Sequence, residues 1–132
     1  MVTGVQTCAL PISVTVGNTG VTIATITNTS NELGLLKICK IAGNGITSGA
    51  NFTFVAAGAG VTVPAGFCGK AGTFPLGTVV TITEMSSPGT AVSAISVLPV
   101  DRQGTVNLAG RTLTATIGVG VTEVYVTNVA TR

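Results

Sequence analysis

Three polar side chains could react with one another. Each of them ends a row of alternating apolar residues, and the three rows lie in distant segments of the sequence. The three side chains are those of Lys40, Glu84 and Asn128. Successive side chains of a β-strand point to opposite faces, so residues two apart share a face. The three rows are Leu36–Ile38–Lys40, Val80–Ile82–Glu84 and Thr122–Val124–Val126–Asn128. A buried charge is costly unless it is paired or neutralised, so we expect these three polar groups to meet.

The chemistry open to such a trio is the formation of an isopeptide bond. Burial lowers the pKa of a lysine and raises that of a carboxylic acid, so Lys40 can act as a neutral nucleophile. Protonated Glu84 can then polarise the Asn128 carboxamide and shuttle protons while ammonia leaves. The reaction would occur once per molecule, so we expect self-maturation and no enzymatic turnover. The alternative is a simple ion pair of Lys40 and Glu84 that reaches water at the strand ends.

The cysteines offer a second possible cross-link. The sequence has three cysteines, of which Cys8 lies in a segment that is set aside below. The other two, in a secreted β-domain, most simply form one disulfide, Cys39–Cys68. Because neighbours on a strand alternate, Cys39 points away from Lys40, and the bridge would lie on the opposite side of that strand. The alternatives are two free thiols or a pair of metal ligands. The sequence has no histidine, and we expect no metal site and no cofactor.

Short strands separated by turn residues must position these groups. Alternating apolar residues between Gly, Pro and Asn clusters predict eight of them. Their expected bounds are Leu35–Ile41, Asn51–Ala56, Gly60–Val63, Thr73–Phe74, Val79–Glu84, Ala91–Val97, Thr112–Ile117 and Val121–Asn128. No segment has the period of a capped helix. The sequence therefore predicts an all-β fold, an antiparallel sandwich of seven to eight strands.

Composition excludes several classes of function. Charged residues make up 8 % of the 132 residues, the net charge is +2, and the six basic residues are scattered, so we expect no nucleic-acid partner. The long uncharged run of residues 41–69 is interrupted by Asn, Pro and Gly, so we expect no membrane insertion. The absence of histidine excludes a Ser-His-Asp site.

The chain divides into three parts of different origin. Residues 1–13, MVTGVQTCALPIS, resemble a translated sequencing adapter, so we set aside Cys8 and expect the true N-terminus to lie upstream. Residues 14–28 share five identities with residues 114–128 at an offset of 100. Residues 14–30 are therefore predicted to be the terminal strands of a truncated preceding repeat. Residues 31–132 are predicted to be one complete domain.

Three stretches carry a resemblance to a known family. LLKICKIAGNGITSGANFTF, PLGTVVTITEMSSPGT and VTEVYVTN resemble, in order and spacing, the B-type collagen-adhesin domains (CnaB-like, SpaA-like). The resemblance implies a prealbumin-like (Ig-like) β-sandwich, with Lys40 and Asn128 as the bonding residues and Glu84 as the catalytic acid. Two positions depart from the family pattern. Thr90 replaces a tyrosine, and Ile41-Ala42 replaces the usual pair after the lysine.

These observations favour a structural role outside the cell. We expect a stalk or spacer repeat of an adhesin or pilin-like protein at a bacterial cell surface or cell wall. Its partners would be neighbouring repeats of the same chain. The alternative is a ligand-binding adhesin module that contacts a host or matrix protein through loops such as Gly43–Gly49 or Pro99–Gly110.

Overall fold

The computed structural model of the chain describes residues 20–21, 23, 25–26 and 32–131. The chain divides into two units, residues 1–30 and residues 31–132. The predicted adapter segment 1–13, with Cys8, lies outside the described residues, as does most of the predicted repeat end 14–30. Every strand described below belongs to the second unit.

Residues 32–131 contain nine strands and one short 3₁₀ helix. The strands are β1 (Leu33–Ala42), β2 (Asn51–Ala56), β3 (Ala59–Pro64), β4 (Cys68–Pro75), β5 (Val79–Glu84), β6 (Thr90–Leu98), β7 (Gln103–Asn107), β8 (Thr112–Thr116) and β9 (Val121–Ala130). The 3₁₀ helix spans Val100–Arg102 between β6 and β7. Within this described part, no helix is long and apolar enough to cross a membrane.

The strands form two sheets that face each other. One sheet has four strands in the order β4-β1-β9-β6, and the other has five in the order β3-β2-β5-β8-β7. Neighbouring strands are antiparallel except for β1 and β9, which are parallel. The predicted all-β sandwich is thus confirmed.

The core fills the space between the sheets with the side chains that the alternation predicts. In β2, Phe52 and Phe54 point inward, and β5 contributes Val80 and Ile82. Both strands have the predicted bounds. Burying each of these side chains contributes roughly 1.5–3 kcal/mol. The other fully buried apolar residues include Leu36, Ile38, Val63, Val97, Leu113, Ala115, Ile117, Val124 and Val126.

The prediction of at most eight strands is wrong, because β7 is a ninth. All five residues of β7 are exposed at the edge of the five-stranded sheet, so no buried row marks them in the sequence. Pro99–Gly110 is consequently not a simple loop, since it holds the 3₁₀ helix and β7. The predicted strand Thr73–Phe74 is also too short. It extends back to Cys68 because β4 pairs along β1.

Candidate functional site

The three predicted polar residues approach one another from both sheets. Lys40 and Asn128 lie on β1 and β9, which are parallel neighbours in the four-stranded sheet. Their register pairs Ala42 with Asn128, so Asn128 lies two residues further along the sheet than Lys40. Glu84 is the last residue of β5 in the facing sheet. The inward rows of the three strands therefore bring these side chains together between the sheets.

The three side chains form a closed triangle of hydrogen bonds. Lys40 Nζ donates to Glu84 Oε2 at 2.7 Å and also to Asn128 Oδ1. Asn128 Nδ2 donates to Glu84 Oε1 at 2.7 Å. Each oxygen of the carboxylate thus faces one of the two nitrogens that an isopeptide reaction would change.

The triangle is closed to water. The side chain of Lys40 is 0 % exposed and that of Glu84 is 1 % exposed, and Asn128 is also fully buried. The ion pair of Lys40 and Glu84 is present, but it is buried and does not reach water as the alternative expected. Removing one member of such a buried pair leaves an uncompensated charge, which costs far more than an exposed ion pair contributes.

Two aromatic rings of β2 lie close to the amine of Lys40. Its Nζ lies 4.3 Å from the ring centroid of Phe52 and 5.7 Å from that of Phe54. Burial lowers the pKa of Lys40, although the hydrogen bond and the negative charge of Glu84 oppose this effect. The charge of Arg111 lowers the Lys40 pKa further. The net direction favours the neutral amine that a nucleophile requires.

Two residues that the sequence analysis did not assign complete the site. Arg111 donates from Nη1 to Glu84 Oε1 at 2.6 Å and from Nη2 to the Thr90 carbonyl oxygen. Thr90 Oγ1 accepts a 3.4 Å hydrogen bond from Asn128 Nδ2. The signal for Arg111 was present, because extending the inward row of Leu113 back by two residues reaches it. Thr90 stands where the family resemblance expects a tyrosine.

The arrangement bears on the two roles expected for Glu84, which were to polarise the Asn128 carboxamide and to shuttle protons. In the structure Glu84 faces Asn128 Nδ2, whereas Asn128 Oδ1 faces Lys40. Glu84 thus contacts the nucleophilic nitrogen and the leaving nitrogen with its two oxygens. This geometry suits a proton carrier between the two nitrogens.

The predicted disulfide is present next to the triangle. Cys39 and Cys68 are bonded, with a sequence separation of 29, and they occupy directly paired positions of β1 and β4. The alternatives of free thiols or a metal pair are wrong. Among the described residues, no group of three or more His, Cys, Asp or Glu side chains is placed to hold a metal ion.

Comparisons with known proteins give matches among solved structures. A bacterial adhesin from Mobiluncus mulieris containing intramolecular disulfide, isopeptide and ester bond cross-links matches in two crystal forms, with TM-scores of 0.55 and 0.52 and identities of 17 % and 15 %. Each match covers 76 % of this chain and 42 % of the adhesin, so the chain spans less than half of that structure's length. A major pilin protein from Streptococcus pyogenes matches at a TM-score of 0.39 and 15 % identity, covering 75 % of this chain and 45 % of the pilin.

The comparison with protein-family models and the comparison with curated proteins give no match. At 15–17 % identity, the likeness to the Mobiluncus adhesin concerns the fold. It is consistent with the fold implied by the resemblance of the three sequence stretches.

Proposed function

We propose that residues 31–132 form one stalk module of a bacterial extracellular surface protein, cross-linked by an isopeptide bond between Lys40 and Asn128. The observation that carries the proposal is the buried triangle of Lys40, Glu84 and Asn128, in which amine, carboxylate and carboxamide contact one another out of water. In this proposal the protein is not an enzyme, because each molecule reacts once with itself.

The reaction can be written with all atoms balanced. The Lys40 ammonium gives one proton to Glu84 Oε2, and the neutral Nζ attacks Cγ of Asn128. The Nζ–Cγ bond forms and the Cγ–Nδ2 bond breaks, while one Lys40 proton reaches Nδ2 so that ammonia leaves. The second proton lost by Lys40 passes through Glu84 to the solvent. Glu84 ends as it began and is the acid–base residue of the step.

The two links would stabilise a small domain of short strands. By analogy with the chain entropy of disulfides, a bond across the 88-residue separation of Lys40 and Asn128 contributes roughly 4–5 kcal/mol. The Cys39–Cys68 bridge closes a shorter loop, for which the same relation gives roughly 3–4 kcal/mol. Covalent cross-links of this kind suit a small domain of an extracellular protein.

The domain organisation supports a spacer in a tandem array. In the proposal, residues 14–30 are the end of a preceding repeat, because residues 14–28 match residues 114–128 at five positions. Neighbouring repeats of the same chain are then the partners of the module, and the location is the bacterial cell surface or cell wall. The fold likeness to a cross-linked Mobiluncus adhesin supports this class of protein.

Intact mass spectrometry of the full chain tests the bond. After reduction of the disulfide, we expect a mass ~17 Da below the sequence mass, which is one lost ammonia. The deficit should disappear in Lys40→Ala, Glu84→Gln and Asn128→Ala. Lys37→Ala is the matched control, because Lys37 lies on the same strand but pairs with Glu123 on the exposed face, and its deficit should remain.

Tryptic digestion locates the link. After reduction and alkylation, residues 38–70 should remain uncleaved at Lys40 and be joined to residues 112–132, which contain Asn128. A wild-type chain with no deficit and with normal cleavage after Lys40 would refute the isopeptide bond. The alternative of a ligand-binding module, acting through Gly43–Gly49 or the Pro99–Gly110 segment, would then be favoured.

A further inference from the structure

Arg111 contacts the reactive triangle but takes no part in the reaction written above. Its guanidinium bridges Glu84 Oε1 and the carbonyl oxygen of Thr90. Its side chain is 17 % exposed, whereas that of Glu84 is 1 % exposed, so Arg111 covers the carboxylate on the solvent side. The bridge therefore lies between the triangle and water.

The backbone at Arg111 is held in an unfavourable conformation. Its φ of 57° lies in the left-handed region, which costs a residue with a side chain of order 1–3 kcal/mol. Backbone hydrogen bonds on both sides fix this geometry. The Arg111 N–H donates to Leu108 O, and the Glu84 N–H donates to Arg111 O. Strain maintained by its surroundings at a reactive site is a reason to look for a role of that residue.

We propose that Arg111 is a positioning residue that sets the pH range in which the Lys40–Asn128 bond forms, by placing a positive charge 2.6 Å from Glu84 Oε1 and keeping that oxygen turned toward Asn128. The inference rests on the proposed function. The charged groups that contact the Glu84 carboxylate are Lys40 from β1 and Arg111 before β8. Its contact from β9 is the neutral Asn128, and the nearby groups from β6 and β2 are the neutral Thr90, Phe52 and Phe54.

The effect of the guanidinium follows from its charge. Bond formation needs one proton to be shared between Lys40 and Glu84, and it slows when the pair gains or loses a proton. A positive charge beside the pair makes a gain harder and a loss easier, and Arg111 indeed acts to lower the pKa of Lys40. The rate of bond formation should therefore fall off on the acid side and on the alkaline side at lower pH values than it would without that charge.

The rate of bond formation against pH tests this inference. The full chain is isolated unfolded and uncross-linked in urea, refolded by dilution at a series of pH values, and followed by the appearance of the ammonia loss in the intact mass. In Arg111→Gln, which keeps an amide donor but no charge, we expect the acid limb to move up by about 1–3 pH units. In Arg111→Lys, which keeps the charge, we expect the wild-type profile.

Each outcome separates this inference from the proposed function. A wild-type chain that folds but forms no bond at any pH overturns the proposed function itself. A rate lowered equally at every pH in Arg111→Gln shows a merely structural role and overturns only the inference. If Arg111→Gln does not fold, the comparison of Arg111→Lys with wild type decides, because a shifted limb in that variant would contradict a role of charge.

Discussion

At the scale of single residues, the main feature of this protein is a buried lysine amine that lies close to two aromatic rings and is hydrogen-bonded to a carboxylate. Lys40 is among the largest fully buried side chains, and its nitrogen contacts Glu84, Asn128 and the Phe52 ring. A buried ion pair of this kind is weak evidence for stability, since burying both charges offsets much of their attraction. The arrangement suits the proposed bond formation, because burial favours the neutral amine.

The lowered pKa of Lys40 predicts a pH-dependent stability whenever the bond cannot form. In Asn128→Ala, the amine remains free to titrate. Its folded-state pKa lies below the ordinary 10.5, so the unfolded chain binds more protons between the two values. The free energy of unfolding should therefore rise with pH in the alkaline window below 10.5, and urea denaturation across that window measures it.

The matched control is the double variant Lys40→Met/Asn128→Ala. It lacks the Lys40 amine but keeps every other titratable group of the chain. The rise should be absent in this control. An equal rise in both variants would show that the slope comes from other groups and would contradict a buried, partly desolvated amine at Lys40.

At the scale of elements, β1 is held on both sides by consecutive residues. Cys39 is bonded to Cys68 of β4, and Lys40 contacts Asn128 of β9. Because neighbouring side chains point to opposite faces, the disulfide lies on the outer face of the sheet and the Lys40–Asn128 contact lies in the core. The strand between the two partners is therefore fixed against both of its neighbours.

The close approach of β1 and β9 beyond Lys40 makes Gly43 a sensitive position. Its N–H donates to the Asn128 carbonyl oxygen at 2.8 Å. A Cβ added at Gly43 would overlap that oxygen and lie 2.8 Å from Val129 Cγ1. We expect Gly43→Ala to displace the Asn128 backbone, to destabilise the domain by about 1–3 kcal/mol and to slow bond formation. Urea denaturation and the intact mass measure the two effects.

Gly60→Ala is the control for that substitution. A Cβ at Gly60 would have its nearest neighbour, Phe54 O, at 3.9 Å, which is ordinary contact distance. This variant should keep the wild-type stability to within a few tenths of a kcal/mol and the full loss of ammonia. Equal behaviour of the two variants would mean that the β1–β9 approach does not constrain the site.

The sequence predicts those elements whose alternating faces differ in burial. Phe52, Phe54, Val80 and Ile82 mark β2 and β5 because every second residue is inside. The same rule predicts that Lys40 points inward. It does not predict that β9 lies parallel beside β1, because that pairing depends on contacts between residues distant in the chain.

The strand that was missed has no such row, and the arginine that was missed lies beyond the end of the strand whose row points to it. β7 has no buried row, and so nothing in its sequence distinguishes it from a loop. Arg111 precedes the first residue of β8 and has a left-handed backbone. An assignment based on strand residues alone therefore does not include it.

At the scale of the whole molecule, the proposed bond would redirect a pulling force. Leu33 begins β1, Ala130 ends β9, and the two strands run parallel side by side. A force applied to the chain ends would pass along β1 to Lys40, cross to Asn128 and leave through the last residues of β9. Residues 41–127 would then lie in a closed loop that carries no load.

Single-molecule pulling tests this path. With the disulfide reduced, the wild-type chain should show no extension from residues 41–127. Asn128→Ala should extend further by roughly 300 Å, since an unfolded residue spans at most about 3.5 Å and 88 positions separate Lys40 from Asn128. Lys37→Ala serves as a control and should behave as wild type. A wild-type chain that releases the full length would exclude a covalent link.

The parallel pairing of β1 with β9 also orders events in time. The β2–β3 hairpin joins residues close in the chain, whereas Lys40 and Asn128 are 88 positions apart. Closing so large a loop is entropically unfavourable until other contacts hold the chain compact. The reactive groups should therefore meet late in folding, after most of the sandwich has formed. The proposed bond would then form only in chains that have already folded, so it would not lock a partly folded chain.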